Sequence, residues 1–315
     1  MAAATNTVFV CGATGSQGGA LALKICKQLN WVVHSTARNI ASPAAISLLE
    51  AGVKLTQGDW DDKAALKAAL TGCDKLFLCL LPDFKDSDRE RRQAEGIITA
   101  AKAAGVSQVV ASTSLGVFTL DDDHLELEVQ KHLTPDSFMA RHIASKKSIE
   151  TAVRNAGFEH WTFLRPSFFM ANFLEPKVAR YPEPREHGTW TTAMTPHAQL
   201  ALIDHVDIAA FAIAAFQNPQ KFHDRAIGLA SEMLTVQETL EILGQAAGRE
   251  LKAIFMTDED IREKQKTSNV FTNSQVSMRY MSKYIDLEMI QSVIQPTSFR
   301  EFLEREKEGV RETYK

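Results

Sequence analysis

Cysteine is scarce in this chain, and the four present form no motif. Cys11, Cys26, Cys73 and Cys79 show neither CxxC nor CxxxC spacing. Cys11 and Cys79 sit inside the apolar runs VFVC and LFLCLL, where a free thiol packs as a small hydrophobe, so these read as structural thiols rather than redox or metal-binding ones. Long hydrophobic runs are also lacking. The longest, IAAFAIAAF at 208–216, is too short to span a bilayer. There is no excess of positive charge: 35 Lys and Arg stand against 39 Asp and Glu, a net charge of −4. That balance gives no footing for direct nucleic-acid binding or for an anionic membrane surface. The first lysine is Lys24, so the N-terminal stretch has no basic region of a secretory leader. Together these absences predict a reduced, cytoplasmic setting with no membrane association. No His-Glu-x-x-His or Cys/His cluster is present, so no metal site is expected. No Gly-x-Ser-x-Gly elbow marks a hydrolase nucleophile.

The composition is that of an ordinary globular chain, 45% hydrophobic and 23% charged over 315 residues. This length buries a sizeable core without disulfides and suits one large domain or two tightly joined ones. The first half alternates. Strand-like runs at Thr7–Cys11, Trp31–Thr36, Val53–Gln57, Lys75–Leu81, Gln108–Ser112 and Trp161–Leu164 are separated by helical stretches at Gly18–Leu29, Pro43–Ala51, Lys63–Leu70, Asp88–Ala104 and Ser137–Ala156. Several helices stop at a Gly just before the next strand, as in KAAGV at 102–106. Such alternation predicts parallel βαβ units with helices on both faces of one sheet. After Arg165-Pro166 the rhythm breaks. Residues 166–200 read as irregular, strand and helix resume at Val206–Gln217, Arg225–Leu229, Val236–Ala247 and Leu251–Phe255, and the last sixty residues look mainly helical. The acidic run Asp121-Asp122-Asp123-His124 reads as a solvated loop. The expected fold is a doubly wound parallel Rossmann α/β sheet with a smaller discontinuous α/β substrate lobe. Residues 1–165 form the dinucleotide domain, and 166–315 form mainly the lobe, with some segments returning to the first domain.

Gly12-Ala-Thr14-Gly15-Ser16-Gln17-Gly18-Gly19 follows the first strand directly and opens the first helix. In that context Gly12 makes the tight turn, Gly15 lets backbone approach a pyrophosphate, and Gly18 permits close helix–sheet packing. The phosphates sit at the helix N-terminus, where free N–H groups and the dipole favour anions. No Lys-Ser or Lys-Thr follows the glycines, which excludes a nucleoside-triphosphate P-loop. The second strand ends in Arg38, twenty residues beyond Gly18. An Asp or Glu here binds the ribose 2′-OH of NAD; Arg38 offers a guanidinium fork to the 2′-phosphate of NADP. Asp59, after the third strand, either presents a carboxylate to the adenine amino group or caps the next helix. Leu80, late in the fourth strand, completes the candidate cofactor set.

GATGSQGG, TARN, GDWDD, the HIASKKSIE helix with LRPSFFMANFL after it, and IDHVDIAAF resemble the NmrA-like family of atypical short-chain dehydrogenase/reductases. LASEMLTVQETLEILGQAAGRELK is similar to the family's strand–turn–helix near the C-terminal lobe, and SFREFLER to its closing helix. The resemblance covers most of the chain and is thinnest over 256–295. It implies NADP(H) as cofactor and one of two roles, an active reductase or a redox-sensing regulator.

By the same resemblance Ser112 matches the hydroxyl residue beside the nicotinamide. Lys146 matches the family's catalytic or ribose-binding lysine. The departure is at His142, which stands where ordinary short-chain dehydrogenases carry the tyrosine of Tyr-x-x-x-Lys. The chain has four tyrosines, and none has Lys four residues later. His142 is either the general acid, as imidazole titrates near neutral pH, or a packing residue. Phe168, Phe169 and Asn172 are candidates to wall an apolar substrate pocket. The expected function is NADPH-dependent reduction of a carbonyl, enone or quinone in an apolar small molecule. The alternative is a non-catalytic NADP(H) sensor with a regulatory protein partner.

Overall fold

A computed structural model describes residues 6–83, 86, 88–121, 137–266 and 270–315. The run Asp122-Asp123-His124 lies outside them. The chain divides into two compact units, one made of Met1–Ser114, Ala144–Arg165 and Ile208–Ile227, the other of Leu115–Ile143, Pro166–Asp207 and Gly228–Lys315.

The first unit carries the alternating half. Strands β1 (Thr7–Val10), β2 (Val32–Ala37), β3 (Lys54–Gln57), β4 (Lys75–Cys79), β5 (Gln108–Ser112) and β6 (His160–Pro166) pair in parallel in the order 3-2-1-4-5-6. A later strand, Arg225–Leu229, flanks β6. Helices α1 (Ser16–Gln28), α2 (Pro43–Glu50), α3 (Lys63–Leu70), α4 (Arg89–Ala103) and α5 (Phe138–Asn155) follow β1 to β5 in turn. The strand order reverses between β1 and β4, the point at which open α/β sheets place their ligands. This is the doubly wound sheet expected from the alternation. It forms because β1, β4 and β5 are apolar on both faces: Val8, Phe9, Val10, Leu76, Phe77, Val109 and Val110 are all fully buried.

Two charged side chains are sealed in this unit with no exposed surface at all. Glu150 of α5 accepts two hydrogen bonds from Arg165 of β6, Nε at 2.9 Å and Nη2 at 2.7 Å, and a third from Thr113 Oγ1 at 2.8 Å. A bidentate guanidinium–carboxylate pair is one of the few arrangements that keeps buried charge tolerable. It locks the second half of α5 to the ends of β5 and β6.

The second unit is built on a three-stranded sheet. β9 (Gln199–Ile203) lies between β7 (Phe168–Phe169), parallel to it, and β11 (Glu232–Thr235), antiparallel. β8 (Thr189–Thr192) pairs in parallel with β12 (Lys252–Phe255). Its core gathers Met170, Phe173, Trp190, Leu240, Phe299 and Phe302. The stretch 166–200, read from sequence as irregular, therefore contains two short strands and the start of a third. Two- and four-residue strands broken by Pro and Gly are too brief for alternation to register. Among the described residues no helix is long and apolar enough to cross a membrane; the apolar run 208–216 lies within the helix His205–Gln217.

Candidate functional site

The glycine segment turns sharply at the end of β1. Gly12 adopts φ +66°, and the Gly15 N–H donates to the Gly12 carbonyl at 2.8 Å. Gly15 is the N-cap of α1, no side chain caps the helix there, and its first turn holds no acidic residue. The end of α1 is thus left to receive an anion on its backbone N–H groups. Gly15 and Gly18 differ in what a side chain would meet. A Cβ on Gly18 would lie 2.4 Å from the Gly12 carbonyl and 2.6 Å from that of Cys11, a collision with backbone. On Gly15 it would meet only the Gly12 carbonyl, at 3.3 Å. Gly18 is therefore a packing glycine, and Gly15 guards open space above the loop. These features fit a pyrophosphate.

Arg38 follows β2, is exposed, and makes no ion pair or hydrogen bond among the described residues. Its fork is available to a phosphate. Asp59 is not the helix cap. α3 begins at Lys63, and the residue just before it, Asp62, caps it by accepting from Ala64 and Ala65 N–H. Asp59 lies three positions too early and instead closes the preceding turn, its Oδ1 accepting from the N–H groups of Asp61 and Asp62 at 2.9 and 3.1 Å. The turn is tied to α4 through Asp61, which accepts from Arg89 and Gln93. It also delivers a residue the motif reading did not single out. The Trp60 indole lies 3.8 Å from where a Cβ of Gly12 would stand, so it walls the glycine turn.

Ser112 ends β5 opposite Cys79 of β4, and its hydroxyl donates to Gln17 Oε1 of α1 at 2.7 Å. The structure thus brings together two candidates ninety-five residues apart. Lys146 is nearly buried. Its ammonium donates to the Leu80 carbonyl at 2.9 Å and pairs with the Glu90 carboxylate. Leu80 takes part through its backbone only, since its side chain packs in the core. Burial pushes the Cys79 thiol up to about 11, with Lys146 pulling it back. Glu90, Glu150 and Arg165 escaped the sequence reading. Glu90 sits in RERRQAEG, a charge run that looks solvated and carries no signal of burial.

Phe138, His142, Lys146 and Glu150 occupy one i+4 row of α5. The His142 ring is half-buried and lies parallel to that of Phe138, with centroids 6.0 Å apart. No tyrosine belongs to the first unit. In the second, burial pushes the Tyr181 hydroxyl up to about 12. Of the candidate substrate residues, Phe168 packs among Phe173, Tyr181 and Trp190, Phe169 lies under the Lys177 ammonium at 5.7 Å, and Asn172 is half-buried. Among the described residues no three His, Cys, Asp or Glu side chains gather to hold a metal ion.

A 3-2-1-4-5-6 parallel sheet, an uncapped helix behind a glycine turn and an exposed arginine after β2 define a dinucleotide-binding Rossmann protein. The NmrA-like family model matches residues 4–303, and the chain belongs to that family. It is 31% identical over 246 residues, 78% of this chain and 75% of the relative, to a (4-alkanoyl-5-oxo-2,5-dihydrofuran-3-yl)methyl phosphate reductase of Streptomyces griseus subsp. griseus. It is 28% identical to an NAD(P)H azoreductase of Xenophilus azovorans, over 81% of this chain and 79% of that one. Among solved structures it resembles an NADPH-dependent quinone oxidoreductase of Escherichia coli complexed with NADPH. The TM-score there is 0.71 at 22% identity, covering 95% of this chain and 99% of the other.

Proposed function

We propose that the protein is an NADPH-dependent reductase acting on a carbonyl, enone or quinone in a largely apolar small molecule. The observation that carries this reading is the pairing of the uncapped α1 N-terminus with an exposed Arg38 that has no partner among the described residues. The first suits a pyrophosphate, and the second suits the extra phosphate that distinguishes NADP from NAD. The named activities of the reductase and azoreductase relatives point the same way. NADPH, when bound, supplies a hydride to an electrophilic carbon. The chain's own contribution is to hold and orient. Gly12 to Gly18 cradle phosphate, Arg38 selects the phosphorylated ribose, and Asp59 remains the candidate for the adenine edge. Lys146 offers a hydrogen-bond donor to the ribose or to the oxygen on which charge develops, and the Ser112 hydroxyl can offer one by turning away from Gln17.

A non-catalytic NADP(H) sensor is the second reading. It is favoured by one observation, a histidine, His142, and not a tyrosine four residues before Lys146, none of the four tyrosines being followed by Lys at that spacing.

The cofactor assignment is tested by titrating NADPH and NADH separately into the protein and into Arg38→Ala. One charge-assisted guanidinium–phosphate pairing sets the expected loss for NADPH at roughly ten- to a hundredfold. NADH should change little. Equal affinities for the two dinucleotides in the unsubstituted protein would remove Arg38 from the account.

A further inference from the structure

We infer that Glu90 is a positioning residue for Lys146, and that it fixes how many hydrogen bonds Lys146 can give a ligand. The inference rests on the dinucleotide-binding reading above. An ammonium has three donors and no acceptor. The Leu80 carbonyl takes one at 2.9 Å and Glu90 Oε1 takes another, with Lys146 at 4% exposure and Glu90 at 2%. Among the described residues no third acceptor meets it, so one donor is left for an oxygen of the nicotinamide ribose or of the substrate.

The carboxylate is itself held in place. Its second oxygen accepts from Ser145 Oγ at 3.0 Å, so the residue before Lys146 in sequence fixes the partner of Lys146. Glu90 also sits in the first turn of α4, where the helix dipole favours a negative charge. The neighbouring arginines do not compete for it. Arg89 pairs with Asp61 and Asp83, Arg91 with Asp88 and Glu95, and Arg92 with Asp86. Lys146 is the ion-pair partner of Glu90 among the described residues. One position further along the same helix row, Glu150 is locked to Arg165 and Thr113. The helix is pinned on both sides of the single remaining donor. Without Glu90 the buried ammonium would have no counter-charge beside it, and its position would no longer be set.

A thermodynamic cycle tests this with a binding readout that does not depend on turnover. NADPH dissociation constants and thermal unfolding are measured for the full chain, Glu90→Gln, Lys146→Met and the double variant. Glu90→Gln is expected to weaken NADPH binding about tenfold, and in the Lys146→Met background by less than about twofold, because the effect runs through Lys146. The double variant should also unfold no earlier than Lys146→Met alone, since that single change strands a buried carboxylate. The same fold-loss in both backgrounds would mean a merely structural pair and overturn the inference. So would undiminished NADPH affinity in a folded Glu90→Gln protein. Should Glu90→Gln fail to fold, Glu90→Asp, which keeps the charge one methylene short of Lys146, runs through the same cycle with the same criteria. Absence of NADPH binding in the unsubstituted protein would overturn the dinucleotide reading itself, and it is seen before any variant is made.

Discussion

Gly15→Val is expected to abolish binding of both NADPH and NADH while the protein stays folded. The Cβ meets the Gly12 carbonyl at 3.3 Å, which a small local shift relieves, but the two methyl groups then fill the open space above the turn. That space is where the pyrophosphate must approach the backbone N–H groups of α1. A side chain on Gly18 acts differently, by driving into the Gly12 and Cys11 carbonyls. Dinucleotide titration alongside thermal unfolding separates the two glycines. A folded Gly15→Val protein that still binds NADPH at micromolar concentration would reduce the loop to a structural turn.

The largest effect on stability is expected from Arg165→Met. It removes the fork that satisfies Glu150 and leaves a carboxylate at 0% exposure whose remaining hydrogen bond among the described residues comes from Thr113. Breaking a fully buried pair from one side costs about 3 kcal/mol or more, far above the loss from a surface pair. Urea unfolding at neutral pH reads the change as a lower midpoint. Arg165→Met combined with Glu150→Leu should recover much of it, because no charge is then left stranded. A single substitution that leaves the midpoint unmoved would show that Glu150 finds another partner.

How far the sequence anticipates this structure depends on the range over which each feature is encoded. β1 to β6 are legible because each is a short strand-like run bounded by a turn, the first five of them followed by a helical stretch, all local signals. The glycine turn and Arg38 are legible for the same reason, since a fixed spacing after a strand carries their geometry. β7 and β8 are not, being two and four residues long amid Pro and aromatics. GDWDD shows how a local pattern misleads. It offers three carboxylates near one helix start, and the first was a candidate cap, yet the cap is Asp62 because Lys63 opens α3. Contacts across the chain are the least legible. Glu90 and Lys146 are fifty-six residues apart and Ser112 and Gln17 ninety-five, and nothing near either member announces the other. Ser112 and Lys146 were identified through family resemblance; Glu90 and Arg165 needed the packed structure.

The two functional readings part on chemistry rather than on binding, since a reductase and a sensor both need the glycine turn and Arg38. His142 bears on the difference. As a proton donor it would give the rate a pH dependence near neutrality that His142→Phe removes, whereas its parallel packing on Phe138 would leave the profile's shape alone. The most direct measurement is NADPH oxidation by the unsubstituted protein across a panel of quinones and enones, with Lys146→Met run beside it. The account predicts NADPH consumption with at least one member of the panel, and a Lys146→Met protein whose turnover falls by a larger factor than its NADPH affinity. No consumption with any member, together with a partner protein whose binding differs between NADPH and NADP⁺, would contradict it and make the chain a sensor.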